Sequence, residues 1–415
     1  MTQFTRRKFI GTAGAGSLGL TAGCTIFSGS GGLGNGTITI AATASLSGSF
    51  SDAGEDVKAA YELGRDVING NGGILDSDVD LILQDDESEP SGVQEGLNQI
   101  ISNNDVDMIW GTFGSLLVAS AASVAENQDI PMLSANFAYM EPHLNNNYEW
   151  TFAPFPKSRD MANGALALAN MASEDNRPER VGIWQTNTGW GAELGEVWPQ
   201  KLEADGYEVV LNKKFQVGNQ DFSSLISQSQ NAEVEYLLGN PTPPGAITAV
   251  QQMAEVDWSP KLATIERGPT ITSWWDATGT TGAFLNCTPG WVPGLVDNGN
   301  QEMIETFRSG EGVSSDAYPS PTVGGSYNVT QTAKQAFEAA GSTDPADVQE
   351  ALLNTTFETV VGEFGFDENG MPVEGDLVPP MGQWQDGQLR LVLPEDVDSE
   401  ASTDIQYPIP PYGQR

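Results

Sequence analysis

Glu266 and Arg267 stand side by side, directly after the apolar run 261–265, which reads as a strand. A carboxylate in a closed, water-poor cleft needs a cationic partner, because leaving it unpaired costs several kcal/mol. Either Arg267 supplies that partner and Glu266 is structural, or the partner is a cationic group from outside the chain. Arg267 could instead hold an acid. Ser115 follows another strand-like run, 106–110, and opens a helical stretch. Its hydroxyl and the free N–H groups of a helix start suit a carboxylate, although an N-cap alone would also explain it. The acidic run Asp85-Asp86-Glu87-Ser88-Glu89 has the composition of a metal cluster. Carboxylates at a helix start are stabilised by the dipole alone, so no metal site is expected there. Asp367-Glu368-Asn369-Gly370 lacks the spaced ligands and distal Glu of a calcium loop and reads as a glycine turn. His143 is the single histidine, which argues against a zinc site or a Ser-His-Asp triad. No Gly-x-Ser-x-Gly elbow comes with a plausible base. No catalytic residue, cofactor or metal is therefore expected.

The amino-terminal region carries an address. Thr5-Arg6-Arg7-Lys8-Phe9-Ile10 precedes a mildly apolar Gly/Ala-rich run ending at Thr21-Ala22-Gly23-Cys24. Paired arginines before a short hydrophobic stretch look like a twin-arginine export signal over residues 1–23. Small residues leading into Cys24 look like a lipobox, which makes Cys24 the expected lipidation site. Residues 24–36, rich in Gly and Ser, form a flexible tether. No later segment approaches the roughly 20 apolar residues of a membrane span. The expected location is extracytoplasmic, lipid-anchored to the outer face of the cell membrane. With Cys24 so used, Cys287 is alone and is expected to be a buried structural thiol. Asn35, Asn286, Asn328 and Asn354 begin Asn-x-Thr triplets, which fit an exported protein.

Charge excludes one large class of partner. Against 18 Lys and Arg stand 56 Asp and Glu, a formal net charge of −38, so no basic patch for nucleic acid can be assembled. Self-repulsion on this scale is relieved where salt shortens the Debye length to about 3 Å. The carboxylates are spread along the chain rather than clustered, which points to adaptation to near-molar salt, as in halophilic archaea.

At 415 residues the chain exceeds one ordinary domain. From Thr37 onward strands and helices alternate. The strands fall at 37–43, 79–84, 106–110 and 131–134, with helices at 54–68, 90–102 and 115–127 between them. After Phe155 the rhythm restarts, with strands 180–184, 207–211, 234–238, 261–265 and 283–287. The helices of this second run are 157–173, 191–205, 221–231 and 245–255. Such alternation implies parallel sheets with right-handed crossovers, and two runs imply two doubly wound lobes. Ligands lie outside the carboxyl ends of such strands, so the cleft between the lobes is the expected site. Residues 394–415, acidic and proline-rich, are expected to be an irregular extension over the surface, or disordered.

Several segments resemble one family, the extracytoplasmic solute-binding proteins of ABC transporters of the leucine/isoleucine/valine-binding type. They are Ser45-Leu-Ser-Gly48, Ile68-Asn-Gly-Asn-Gly-Gly-Ile74, Gln84-Asp-Asp-Glu-Ser-Glu-Pro90 and Trp110-Gly-Thr-Phe-Gly-Ser115. Asp129-Ile-Pro131, Trp190-Gly191, Gly218-Asn-Gln-Asp-Phe222 and Gly365-Phe-Asp-Glu-Asn-Gly370 complete the set. The resemblance implies an α/β fold of two doubly wound parallel-sheet lobes joined by three crossovers. Lobe 1 would be 37–155 plus 291–356, and lobe 2 would be 156–290 plus 357–393. It also implies a ligand wall of Ser115, Phe137 and Ala138, facing Trp190, Asn240 and Glu266. Ala138 stands where the family often has threonine. Trp190 takes the place of an aromatic that covers the ligand, and Glu266 that of a carboxylate set against a ligand ammonium. Phe113, Phe137, Tyr139 and Trp291 are further candidates to line the pocket. The implied function is capture of an amino acid or a related small amide or carboxylate by lobe closure. The implied partners are that small-molecule ligand, an ABC permease, and a membrane through the lipid anchor, with the protein a monomer and no reaction catalysed. An amide- or urea-sensing domain on the same fold is the alternative.

Overall fold

A computed structural model describes residues 36–415 apart from 174–175, 297, 311–312, 316, 378, 396 and 398–400. The export signal, Cys24 and the tether up to residue 35 lie outside the described residues. The first run of elements is β1 (Thr37–Ala44), α1 (Ser51–Gly70), β2 (Asp78–Asp85), α2 (Pro90–Asn103), β3 (Met108–Trp110), α3 (Ser115–Gln128), β4 (Met132–Leu133), α4 (Glu141–Asn145) and β5 (Thr151–Phe152). Its five strands form a parallel sheet in the order β2-β1-β3-β4-β5. Helices cover both faces of such a sheet, so β1 is buried without interruption from Ile40 to Ala44 instead of alternating. From β1 the chain turns to β2 on one side, then passes to β3 on the other. The strand order therefore reverses between β1 and β3.

The second run is α5 (Ser158–Asn170), β6 (Arg180–Thr186), α6 (Gly189–Ala204), β7 (Glu208–Phe215), α7 (Ser223–Asn231), β8 (Tyr236–Gly239), α8 (Pro243–Glu255), β9 (Leu262–Ile265), α9 (Trp274–Thr278) and β10 (Asn286–Cys287). These strands belong to a seven-stranded sheet, β14-β13-β10-β9-β8-β6-β7. The reversal here lies between β6 and β8. Two antiparallel strands, β13 (Met381–Gln385) and β14 (Gln388–Leu393), close its other edge.

Between β10 and β13 the chain returns to the first sheet. It forms α10 (Asn300–Arg308), α11 (Pro321–Ala340), α12 (Pro345–Asn354) and the hairpin β11 (Phe357–Thr359) and β12 (Gly362–Phe364). α11 lies along α1 so closely that a Cβ on Gly64 would sit 2.2 Å from Thr330 Oγ1. The hairpin also packs on this side. Phe364, edge-on, and Phe357, tilted, pack around Phe366, which meets Phe152 of β5 edge-on. Residues 357–372 thus accompany the first sheet, whereas the sequence reading assigns 357–393 to the second lobe. The chain rejoins the second sheet only at β13. These passages, near residues 153–157, 288–291 and 372–381, are three crossovers between the two sheets, the number that the sequence reading expects.

Residues 401–415 run as a strap along the second sheet. Ile409 donates its N–H to Lys261 O, Gln406 pairs with Gln383, and the Arg415 guanidinium holds Thr281 O and Ser259 Oγ. Cys287 is free and buried on β10. Asn286 and Asn328 are wholly buried, their side chains donating to Ala263 O and Pro154 O, so neither can accept a glycan. Asn354 is exposed, and Asn35 falls outside the described residues.

Candidate functional site

Loops at the carboxyl ends of both sheets wall one narrow cavity. From the first sheet come Phe113 to Ser115, after β3, and Asn136 and Ala138, after β4. From the second come Trp190 at the start of α6, Glu266 and Arg267 after β9, and Thr288 after β10.

Asp86 sets the shape of the first wall. Its carboxylate is fully buried and takes hydroxyl hydrogen bonds from Ser45, after β1, and Thr112, after β3, at 2.6 and 2.5 Å. Its neighbour Asp85 accepts from the N–H groups of Leu46 and Glu87. The acidic run of 85–89 thus staples loops together. Burial raises the Asp86 pKa against these bonds, with Asp85 adding to the rise. Tyr61 of α1 fastens the same region by donating to Gly111 O. The chain then turns through Gly114, at φ +87°, a conformation that favours glycine, and α3 begins at Ser115. The Ser115 hydroxyl has no protein partner among the described residues and borders the cavity. Unpaired N–H groups of a helix start carry partial positive charge, so this wall favours an anion.

Glu266 dominates the second wall. Both its oxygens face Thr288, whose N–H donates at 3.0 Å and whose hydroxyl donates at 2.9 Å. Burial lifts its pKa to about 7, opposed by the Thr288 bonds and by Arg267. No nitrogen of Arg267 comes within 4 Å of it, so the two neighbours are not an ion pair. The reason lies in the backbone. Arg267 has φ +72° and ψ −57°, and Gly268 N–H donates to Glu266 O at 3.0 Å. This three-residue γ-turn is rare for a residue with a Cβ and strained by about 1–3 kcal/mol. It turns the two side chains apart. The Arg267 guanidinium lies 4.3 Å over the Trp190 ring and 5.8 Å from that of Phe50.

Four of the six expected ligand residues, Ser115, Ala138, Trp190 and Glu266, border the cavity together. Two do not. Phe137 turns inward, its ring 4.9 Å from His143 and its carbonyl taken by the buried Lys157 ammonium at 2.7 Å. Burial depresses that ammonium to about 7. Asn240 is also turned in. Its Oδ1 accepts from Thr186 N–H at 2.8 Å and so pins β8 to β6 where the strand order reverses. Among the further aromatic candidates Phe113 borders the cavity. Trp291 is buried against α11 and donates to Asn300, while Tyr139 bonds Glu141. Thr288 was missed by sequence reasoning, and no local pattern marks it: its role follows from β10 lying beside β9.

The model of the family described as "Periplasmic binding protein" matches residues 37–386. Leu/Ile/Val-binding protein homolog 1 of Brucella abortus is 27% identical over 338 residues, spanning 80% of this chain and 86% of the relative. Among solved structures, the branched-chain amino acid transporter substrate binding protein LivJ of Streptococcus pneumoniae, in complex with isoleucine, superposes with a TM-score of 0.73. It is 16% identical over 85% of this chain and 98% of that one. A solute binding protein of an ABC transporter from R. palustris, in complex with benzoate, gives a TM-score of 0.72 at 17% identity, covering 88% and 99%.

Proposed function

The chain belongs to the periplasmic binding protein family, and on that basis we propose that it captures an amino acid of the branched-chain type, or a related small carboxylate or amide, for an ABC importer. One observation carries this reading. A single cavity between two sheets has an anion-favouring helix start at Ser115 on one side and the buried carboxylate of Glu266 on the other. That polarity suits a molecule with an acid at one end and an ammonium at the other. Closing two walls on such a molecule stabilises the closed form, because only there are both ends held. The relatives named above fit this reading: one is named for Leu/Ile/Val binding, and one was solved with isoleucine.

Family members bind solutes and are not enzymes, and we take this chain likewise to leave its ligand unchanged. The moving bodies in this proposal are the first sheet with 291–372, and the second sheet with β13, β14 and the strap. The protein would act as a monomer and deliver to a membrane permease. The family is extracytoplasmic, and among the described residues no helix is long and apolar enough to cross a membrane. Twin-arginine export and lipidation at Cys24 are the anchoring route we propose. A Cys24→Ser variant should leave the membrane fraction in its native host. Thermal-shift screening in molar KCl against amino acids, amides, urea and short carboxylates tests the ligand. At least one amino acid should raise the melting temperature. A flat response to all of them, or turnover of any, would defeat the reading.

A further inference from the structure

We infer that Arg267 is an anion-binding residue of the cavity, and that with the start of α3 it holds one carboxylate of the solute, so that amides, urea and simple amines are poor ligands. The inference rests on the solute-binding reading of the same cavity and narrows its ligand class. Three observations converge. First, among the described residues the Arg267 guanidinium has neither a hydrogen bond nor an ion pair. Among the described residues the ion pairs, Lys261–Glu235 and Arg180–Glu208 among them, involve other side chains. The neighbour of Arg267, Glu266, turns both oxygens to Thr288 instead. The half-buried guanidinium keeps its hydrogen-bonding capacity unused, and a ligand anion at the cavity would use it.

Second, the guanidinium is held ready. Its carbon lies 4.3 Å over the Trp190 ring, which helps to hold it in place, and a planar fork of donors suits a carboxylate better than a point charge would. The γ-turn that aims it depends on Gly268, where a Cβ would lie 2.3 Å from that of Ala246. Third, the guanidinium reaches toward the opposite wall. Phe50, 5.8 Å from it, packs on Phe113 with ring centroids 6.0 Å apart. A Cβ on Gly114 would lie 4.0 Å from the same Phe50 ring. The unpaired Ser115 hydroxyl is the next residue along. One acid group placed here would bridge the walls, leaving Glu266 for an ammonium. A zwitterion then balances Arg267 and Glu266 together.

Isothermal titration of the full chain in molar KCl against three probes of one shape tests this: L-leucine, L-leucinamide and 4-methylpentanoate. Leucinamide should bind far more weakly than leucine. R267Q should weaken leucine by about a hundredfold, with R267K retaining part of the affinity. If leucinamide matches leucine, the Arg267 assignment falls while the amino-acid reading stands. If 4-methylpentanoate binds in an Arg267-dependent way and leucine does not, the amino-acid reading falls and the assignment stands. If none of the three binds the parent protein, both fall. Should R267Q fail to fold, the comparison of probes on the parent protein still decides.

Discussion

Asp56 and Thr272 are joined twice across the cleft. The carboxylate of Asp56, on α1, accepts the Thr272 N–H at 3.0 Å and its hydroxyl at 2.7 Å, while Ser320 adds a third bond at 2.8 Å. One turn earlier on the same helix, Asp52 takes the Ser273 hydroxyl at 2.6 Å. Helix α1 covers the first sheet and residues 272–273 follow the second, so these bonds must break if the lobes part. A second clasp has Glu193 of α6 accepting the N–H groups of Met140 and Glu141, each at 3.0 Å.

The Asp56 clasp should therefore tune ligand affinity without touching ligand. Asp56→Ala is expected to cost about 1–3 kcal/mol of binding by favouring the open form. Small-angle scattering of the ligand-free variant should show a larger radius of gyration than the parent. An identical radius together with unchanged affinity would mean that the clasp does not bias closure.

Protonation of Glu266 should be visible in binding. Its pKa is raised from 4.5 to about 7, chiefly by burial, so between these values the folded chain holds a proton that the unfolded chain has released. Its stabilising effect is thus present below about 4.5 and is lost as pH rises through about 7. An ammonium ligand needs the ionised form, so its affinity should climb with pH by up to about tenfold per unit and level off above about 7. Glu266→Gln should flatten this profile and cost an amine ligand about 2–5 kcal/mol. A parent protein whose amine affinity is constant from pH 5 to 8 would take Glu266 out of the site.

Asn240 and Trp190 should separate cleanly in alanine variants. Asn240 holds the Thr186 N–H inside the fold, so its loss should lower stability by about 1–3 kcal/mol and leave affinity within about twofold. Trp190 supports Arg267 and borders the cavity, so Trp190→Ala should lower affinity about tenfold or more. Denaturant unfolding and calorimetric titration measure the two effects, and the reverse pattern would contradict this geometry.

Salt should stabilise the whole chain. With a net charge of −38, repulsion between surface carboxylates is long-ranged in dilute buffer and screened within about 3 Å at molar ionic strength. The thermal midpoint should rise steadily from about 0.1 to 2 M KCl. Equal midpoints at both ends would refute adaptation to salt.

Much of the architecture is written in local pattern. Short runs rich in β-branched residues such as 37–44, alternating with longer helical stretches, read as parallel strands, and glycine and proline mark their ends. Strand ends place the loops that wall the cavity, and the family resemblance singles out Ser115, Ala138, Trp190 and Glu266 within them. Helix α11 was not, because nearly every face of its Gly-, Ser- and Thr-rich stretch is buried and leaves no amphipathic period.

What the sequence by itself determined is the alternation of strands and helices, the two sheets, and the loops at their carboxyl ends. Tertiary structure decided which way each loop residue points. Asn240 is claimed by Thr186, 54 residues away, Glu266 by Thr288, 22 away, and Thr272 by Asp56, 216 away. Hydrogen-bond partners at such separations are set by how the sheets are ordered and brought together. Neighbours in sequence, such as Glu266 and Arg267, can therefore be parted by a single turn and given opposite tasks.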